Sequence, residues 1–203
     1  MGLREVKTAR TRRRMTEVAL ELFLRDGFDQ TTMEQIAEHA EVGTTTLYRY
    51  FPTKDQLLLD PLVEAIDPAP HLRDRPADEP LEVSLAAALL SAAAAFDGAG
   101  TRLAEMRRLV DTAPVARARL WDRVLTLRED LEAVIGDRMA RDPGELSVRA
   151  TAGLMLDLFH LVDRDADETR TREEVMAGLL SELPSSTVVI PTLSNPASIG
   201  HLR

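Results

Sequence analysis

The chain has 203 residues, no cysteine, one tryptophan, 44% hydrophobic and 4% aromatic content, and a formal net charge of -9. That length buries one good core or two small ones, and an aromatic-poor composition rich in alanine and leucine favours an all-α architecture. The absence of cysteine excludes disulfides, thiolate metal sites and cysteine nucleophiles.

The charge is segregated along the chain. Residues 1–54 carry nine Lys/Arg against eight Asp/Glu, whereas the remainder carries 16 against 26. At the start, Arg4, Lys7, Arg10, Arg12, Arg13 and Arg14 are opposed only by Glu5, forming a basic arm able to neutralise phosphates. A solvated, unstructured leader is the alternative for residues 1–8. The first helix is expected from about Thr8 to Asp26, with Val18, Ala19, Leu22 and Phe23 on its buried stripe and Gly27 as its stop. A capping box at Thr31 with Glu34, or at Thr32 with Gln35, opens a second helix over about Thr32–Ala40 that buries Ile36, Ala37 and Ala40. After a turn at Glu41-Val42-Gly43, a third short helix covers Thr44–Tyr50. Its Leu47 points inward, as does Phe51 four residues on, while Thr44, Thr45, Tyr48 and Arg49 face outward. Pro52 ends that helix, and Thr53 with Gln56 caps a fourth beginning at Lys54. Pro61 falls inside the fourth helix, so a kink or a restart capped by Asp60 is expected.

This is the pattern of a helix-turn-helix DNA reader. From about Thr11 to Leu58 it resembles the N-terminal domain of the TetR family of transcriptional regulators. Ile36-Ala37, Val42, Leu47-Tyr48-Arg49-Tyr50-Phe51 and Lys54 match the family string. Glu41 replaces the usual turn glycine and Gly43 a frequent capping serine; a Glu at positive φ costs about 1 kcal/mol. The resemblance implies base contacts from Thr44, Thr45 and Tyr48. It also implies phosphate contacts from Thr31, Thr32, Thr46, Tyr50 and Lys54, to which the basic arm adds Arg10, Arg12, Arg13 and Arg14. Surface threonines acting only as helix caps are the competing explanation, and capping is the primary role expected of Thr31 and Thr53.

Four prolines and several charges between Asp67 and Pro80 read as a linker. Beyond it, helices are expected at about Leu81–Phe96, Thr101–Thr112, Val115–Ala140, Pro143–Val162 and Thr171–Leu183. The boundaries expected are a DNA-binding domain over 1–58, a helical effector-binding and dimerisation domain over 59–183, and an irregular tail over 184–203. The resemblance implies that this second half holds a pocket for a small-molecule effector and forms a homodimer through its last two long helices. Gly153, Leu154, Leu158, Leu161, Val175, Leu179 and Leu180 suit that interface, though ordinary core packing explains them equally. The large and polarisable residues of the central helices are candidates to line the pocket: Phe96, Met106, Leu109, Trp121, Leu125, Met155, Phe159 and His160. His160, embedded in an apolar run, also reads as a hydrogen-bonded interior histidine.

The function implied is a sequence-specific, ligand-responsive repressor that binds a palindromic double-stranded operator as a dimer. Effector binding would move the fourth helix, with Pro61 as hinge. The rival is a helical protein-interaction or calcium-binding module that does not bind DNA. Asp163, Asp165, Asp167 and Glu174 reproduce the acidic spacing of a calcium loop, but Glu168 stands where its glycine belongs and Thr171 with Glu174 already forms a capping box. Four scattered histidines, no glycine-rich phosphate loop and no GxSxG elbow argue against an enzyme, and neither a cofactor nor a metal is expected. No run reaches about 18 uninterrupted apolar residues, and the N-terminal arginines precede no signal-peptide core. The expected setting is cytoplasmic, away from membranes.

Overall fold

A computed structural model describes residues 2–166 and 169–183, so the irregular tail expected at 184–203 lies outside the described residues. Ten helices and no strand occur among them. The N-terminal four are α1 (Leu3–Asp26), α2 (Met33–His39), α3 (Thr44–Tyr50) and α4 (Lys54–Ile66). There follow α5 (Ala69–Arg73), α6 (Leu81–Gly98), α7 (Thr101–Thr112), α8 (Pro114–Met139), α9 (Leu146–Asp165) and α10 (Arg172–Glu182). The first helix begins at Leu3, so its backbone continues through the segment for which an unstructured leader was the alternative.

Local chemistry sets the boundaries of the head. Gly27 takes φ +90 just past α1, a backbone state that glycine reaches without a Cβ clash. The box that opens α2 is the one at Thr32: its hydroxyl accepts from the Gln35 N–H at 3.2 Å, and Gln35 Oε1 accepts from the Thr32 N–H at 2.8 Å. Glu41 adopts φ 56 in the turn and its carboxylate meets Arg14 at 2.9 Å. Phe51 is extended, as a residue preceding proline must be, and this ends α3. Phe23, Ile36, Leu47, Phe51, Leu57 and Leu58 are all essentially inaccessible. Each such side chain contributes about 1.5–3 kcal/mol from burial.

Pro61 does not break α4, which runs unbroken from Lys54 to Ile66. Proline has no N–H for the carbonyl of Leu57, but Leu57, Leu58, Leu59 and Leu62 are buried around it and hold the helix in place. Asp60 is no cap either: it faces α1 and α8. Helix α4 packs on α1 on one side and on α6, α7 and α8 on the other, so it belongs to both halves of the molecule.

The segment expected as a linker is fastened rather than loose. It contains α5, whose Ala69 and Leu72 are fully buried against α6 and α8. The Arg138 guanidinium in α8 donates to the carbonyls of Arg75 at 3.1 Å and Pro76 at 3.0 Å, and to Ser84 Oγ at 2.5 Å. Glu79 accepts from Ser84 at 2.6 Å and from Arg75. By length and composition α6 is the one helix among the described residues apolar enough to cross a membrane. It packs instead against α4, α5, α9 and α10, burying Ser84, Ala88, Leu89, Ala92, Ala93 and Phe96. At the end of α8, Ala140 turns left-handed at φ 50 and the Arg141 N–H bonds the Gly136 carbonyl at 3.0 Å. A Cβ on Gly136 would sit 3.0 Å from the Arg141 carbonyl oxygen, so a glycine here lets the chain double back closely.

The hydrogen bond from Arg75, followed by that from Ser84, holds the Glu79 carboxyl down at about 2. A carboxylate depressed in the folded state contributes stability that is complete above its ordinary value and fades as pH falls toward the folded one. Chemical denaturation of the wild type should therefore show stability declining from about pH 4.5 to about pH 2. Glu79→Gln should flatten part of that decline; an unaltered profile would deny the carboxylate this role.

Candidate nucleic-acid interface and ligand cavity

The outward face of α3 carries the three side chains expected to read bases. Thr44 and Thr45 are exposed in its first turn, and Tyr48 is 43% exposed one turn later, while Leu47 between them is completely buried. Gly43 precedes them at φ -65 without a side-chain cap, so nothing shields the two threonines. The Tyr48 phenol reaches Glu34 Oε1 at 3.4 Å, which links α3 to the first turn of α2. Arg49 is exposed and its guanidinium lies 5.7 Å from the Tyr50 ring, without an acidic partner among the described residues. The outward position of Arg49 follows from helical spacing, although the family resemblance implies no contact for it.

Of the residues expected at phosphates, Thr32 is exposed and its hydroxyl, although accepting from Gln35, keeps a proton to donate. Thr46 and Tyr50 are half-buried at the edge of the head. Thr31 faces inward: it is 2% exposed and donates to the Gly27 carbonyl at 2.8 Å, so it neither caps α2 nor reaches solvent. Lys54 is likewise engaged. Its ammonium donates to the carbonyls of Phe28 at 2.6 Å and Thr31 at 3.0 Å and stands 4.5 Å from the Phe28 ring centroid. The lysine stitches the start of α4 to the α1–α2 loop. Arg12 is drawn inward too, donating to Asp60 at 2.9 Å and Glu64 at 3.0 Å with its guanidinium 4.8 Å over Phe51. Arg13 pairs with Glu17 at 2.7 Å and Arg14 with Glu41 at 2.9 Å, both at the surface, where such pairs are worth about 0–1 kcal/mol and exchange readily. Arg10 is exposed and has no ion pair among the described residues.

Asp60 is 7% exposed at the junction of the two halves. One carboxylate oxygen accepts from Arg12 of α1 at 2.9 Å and the other from Arg123 of α8 at 2.6 Å. One turn earlier Asp55 accepts from Arg119, also on α8. Burial pushes the Asp55 carboxyl up, but the Arg119 and backbone hydrogen bonds together outweigh it and the net shift is down.

Beside this junction lies a cavity of about 320 Å³ walled by α4, α6, α7, α8 and α9. Five of the eight residues expected there line it: Phe96, Trp121, Leu125, Phe159 and His160. The other three do not. Met106 and Met155 are buried in the core, at 0% and 3% exposure, and Leu109 packs on that core from its edge. Helical spacing identified them as apolar but could not say which interhelical gap each faces. Leu62 and Ile66 of α4, Leu120, Val124, Gly153 and Leu156 complete the apolar wall, and Arg107, Asp111, Arg117, Arg128, Asp157 and Asp163 add charge. His160 is no sealed interior histidine: it lies half-exposed beside Trp121, with ring centroids 6.0 Å apart.

Two of the four carboxylates with calcium-loop spacing are engaged within the protein. Asp163 is held by Arg172 at 2.8 Å, and Glu174 closes a capping box with Thr171 at 2.9 Å. Asp167 and Glu168 lie outside the described residues, and no group of metal-binding side chains occurs among the rest.

A three-helix head with an exposed short second reading helix, joined to a helical body that encloses a cavity, defines a helix-turn-helix regulatory protein. Residues 16–60 match the family described as "Bacterial regulatory proteins, tetR family". The HTH-type transcriptional regulator TcmR of Streptomyces glaucescens is 37% identical over 149 residues, a stretch covering 70% of this chain and 66% of TcmR. The HTH-type transcriptional repressor KstR of Rhodococcus jostii is 38% identical over 56 residues, covering 28% of this chain and 26% of that protein. Among solved structures, NalD, the secondary repressor of the MexAB-OprM multidrug efflux pump in Pseudomonas aeruginosa, superposes with a TM-score of 0.54 at 22% identity, covering 87% of this chain and 96% of that one. The chain belongs to the tetR family, whose members are DNA-binding transcription regulators rather than enzymes.

Lys54→Met should lower the denaturation midpoint by an amount equivalent to about 2 kcal/mol, because the Phe28 and Thr31 carbonyls lose a charged donor. An unchanged midpoint together with weakened DNA retention would return this lysine to a phosphate.

Proposed function

We propose that this protein is a ligand-responsive transcriptional repressor that binds a palindromic operator as a homodimer in the cytoplasm. The observation that carries the reading is the division of α3, with Leu47 wholly buried and Thr44, Thr45 and Tyr48 presented to solvent. Their hydroxyls and phenol meet base edges in the major groove. Thr32, Thr46 and Tyr50 contact the sugar-phosphate backbone, together with Arg10, Arg13, Arg14 and Arg49.

A single head makes too few contacts for specific binding; two heads related by a two-fold axis engage half-sites one helical turn of about 34–36 Å apart, or a multiple of it. Helices α9 and α10 supply the dimer face. Leu154 and Leu161, seven residues apart on one side of α9, are 57% and 52% exposed within the protomer. Gly178 on α10 has nothing within 4 Å of a Cβ position and leaves room for a neighbouring backbone. Leu158 and Val175, by contrast, are buried inside the protomer and belong to its own core.

Effector binding in the cavity acts on α8, which lines it through Leu120, Trp121 and Val124 and grips α4 through Arg119 and Arg123. A shift of α8 reaches α1 through Asp60 and Arg12 and alters the spacing of the two heads. In this reading the transmission runs through the charged junction, with Pro61 beside it.

Selection of bound fragments from random DNA should yield an inverted repeat, and Tyr48→Ala should abolish retardation of that fragment while leaving the helical circular-dichroism signal unchanged. Undiminished retardation would overturn the contact assignment. For any compound that releases the wild type, Arg123→Met should need several-fold more compound for release at similar operator affinity. Equal sensitivity would remove α8 as the route.

A further inference from the structure

The ion pairs around the cavity are not equally satisfied. Asp163, with a side chain 10% exposed, is held on Oδ1 by Arg172 at 2.8 Å, and Arg128 is matched by Glu132 at 2.9 Å and the Arg149 carbonyl at 3.1 Å. Arg107 and Arg117, which also line the cavity, are different. Arg107 meets Asp111 at 3.4 Å and Asp163 at 3.5 Å, both through Nε, leaving its two terminal nitrogens without an acceptor among the described residues. Arg117 has one long contact, from Nη1 to the main-chain carbonyl of Asp111 at 3.4 Å. Charge-assisted bonds of good geometry fall near 2.7–2.9 Å, so both guanidiniums keep most of their donor capacity.

The two arginines share one end of the cavity. Arg107 and Asp111 close α7, Arg117 opens α8, and Asp163 faces them from α9. Asp157, the remaining carboxylate of the wall, stands six residues earlier on α9, about 9 Å along the helix axis, with the apolar middle between. The cavity is thus polarised: the loosely matched donors of Arg107 and Arg117 beside Asp111 and Asp163 at one end, rings of Phe96, Trp121 and Phe159 in the middle, and Asp157 with the already matched Arg128 toward the other.

We propose that the effector is an amphipathic monoanion, whose carboxylate, sulfonate or similar group docks on Arg107 and Arg117 while a ring-containing apolar body lies against Phe96, Trp121 and Phe159. The anion supplies the short acceptors that Asp111 does not, and the partial burial of Arg107, at 27% side-chain exposure, strengthens the contact. Asp157 disfavours a second negative group at the far end and accepts from a hydroxyl or amine there. The inference rests on the cavity being the effector site.

Trp121 is the single tryptophan and lines the cavity, so a probe bound there quenches its emission, and the dependence of that quenching on Arg107 and Arg117 assigns it to this site. The test titrates 8-anilinonaphthalene-1-sulfonate against N-phenyl-1-naphthylamine, the same ring system without the sulfonate, and follows Trp121 quenching. The sulfonate should bind about tenfold more tightly, the gain of one charge-assisted hydrogen bond. Arg117→Gln and Arg107→Gln should each erase most of that preference, leaving the neutral probe unchanged, whereas Arg117→Lys keeps part of it. Quenching by both probes with equal affinity, or an anion preference that survives both glutamine variants, would overturn the anionic class while sparing the effector site. Quenching by neither would overturn both.

Discussion

The two halves of this protein are joined through one buried carboxylate. Asp60 sits on α4 with one oxygen on Arg12 of the DNA-reading head and the other on Arg123 of the body. Removing a carboxylate from water is costly unless both oxygens are satisfied, and here each partner comes from a different half. The favourable arrangement therefore exists only while head, connector and body keep one geometry. Asp55 with Arg119 repeats the link one turn away, and the leucines of α4 supply the packing that holds the ion pairs in register. Such a junction ties the position of the head to that of α8.

The same arrangement explains why several basic residues do less at the surface than their number suggests. Arg12 and Lys54 point into the structure, where each completes the hydrogen bonding of an otherwise unsatisfied group. Sequence alone cannot separate a cation that awaits a phosphate from one that braces a loop. The difference lies in acceptors brought close by folding: Asp60 is 48 residues from Arg12, and the Phe28 carbonyl is 26 from Lys54. Local signals fared well. A capping box opening α2 at Thr31 or Thr32, the extended residue before Pro52, the glycine after α1 and the bounds of α3 were readable, because each depends on residues within one or two turns; that the cap is Thr32 and not Thr31 depends on the packing that turns Thr31 inward. The short α5 was hidden by prolines that suggested a tether. Its stability comes from Ala69 and Leu72 buried against helices much later in the chain.

For the cavity, composition found the right kind of residue but only five of the seventeen that line the wall. Phe96, Trp121, Leu125, Phe159 and His160 were legible as large groups on central helices. The charged rim, with Arg107, Arg117 and Asp163, was not, since charge on an amphipathic helix ordinarily means solvent. That rim separates an apolar gap from a site with chemical direction.

The internal pairing of Arg12 and Lys54 also bears on how this protein meets a chromosome. Adhesion to arbitrary duplex depends on how many cations can displace counterions, and its decline with ionic strength steepens with that number. A head from which Arg12 and Lys54 are withdrawn, carried on a body of net negative charge, holds less strongly to unrelated duplex than its cation count suggests and shows a shallower ionic-strength response. Such a molecule would wander little along the genome before release.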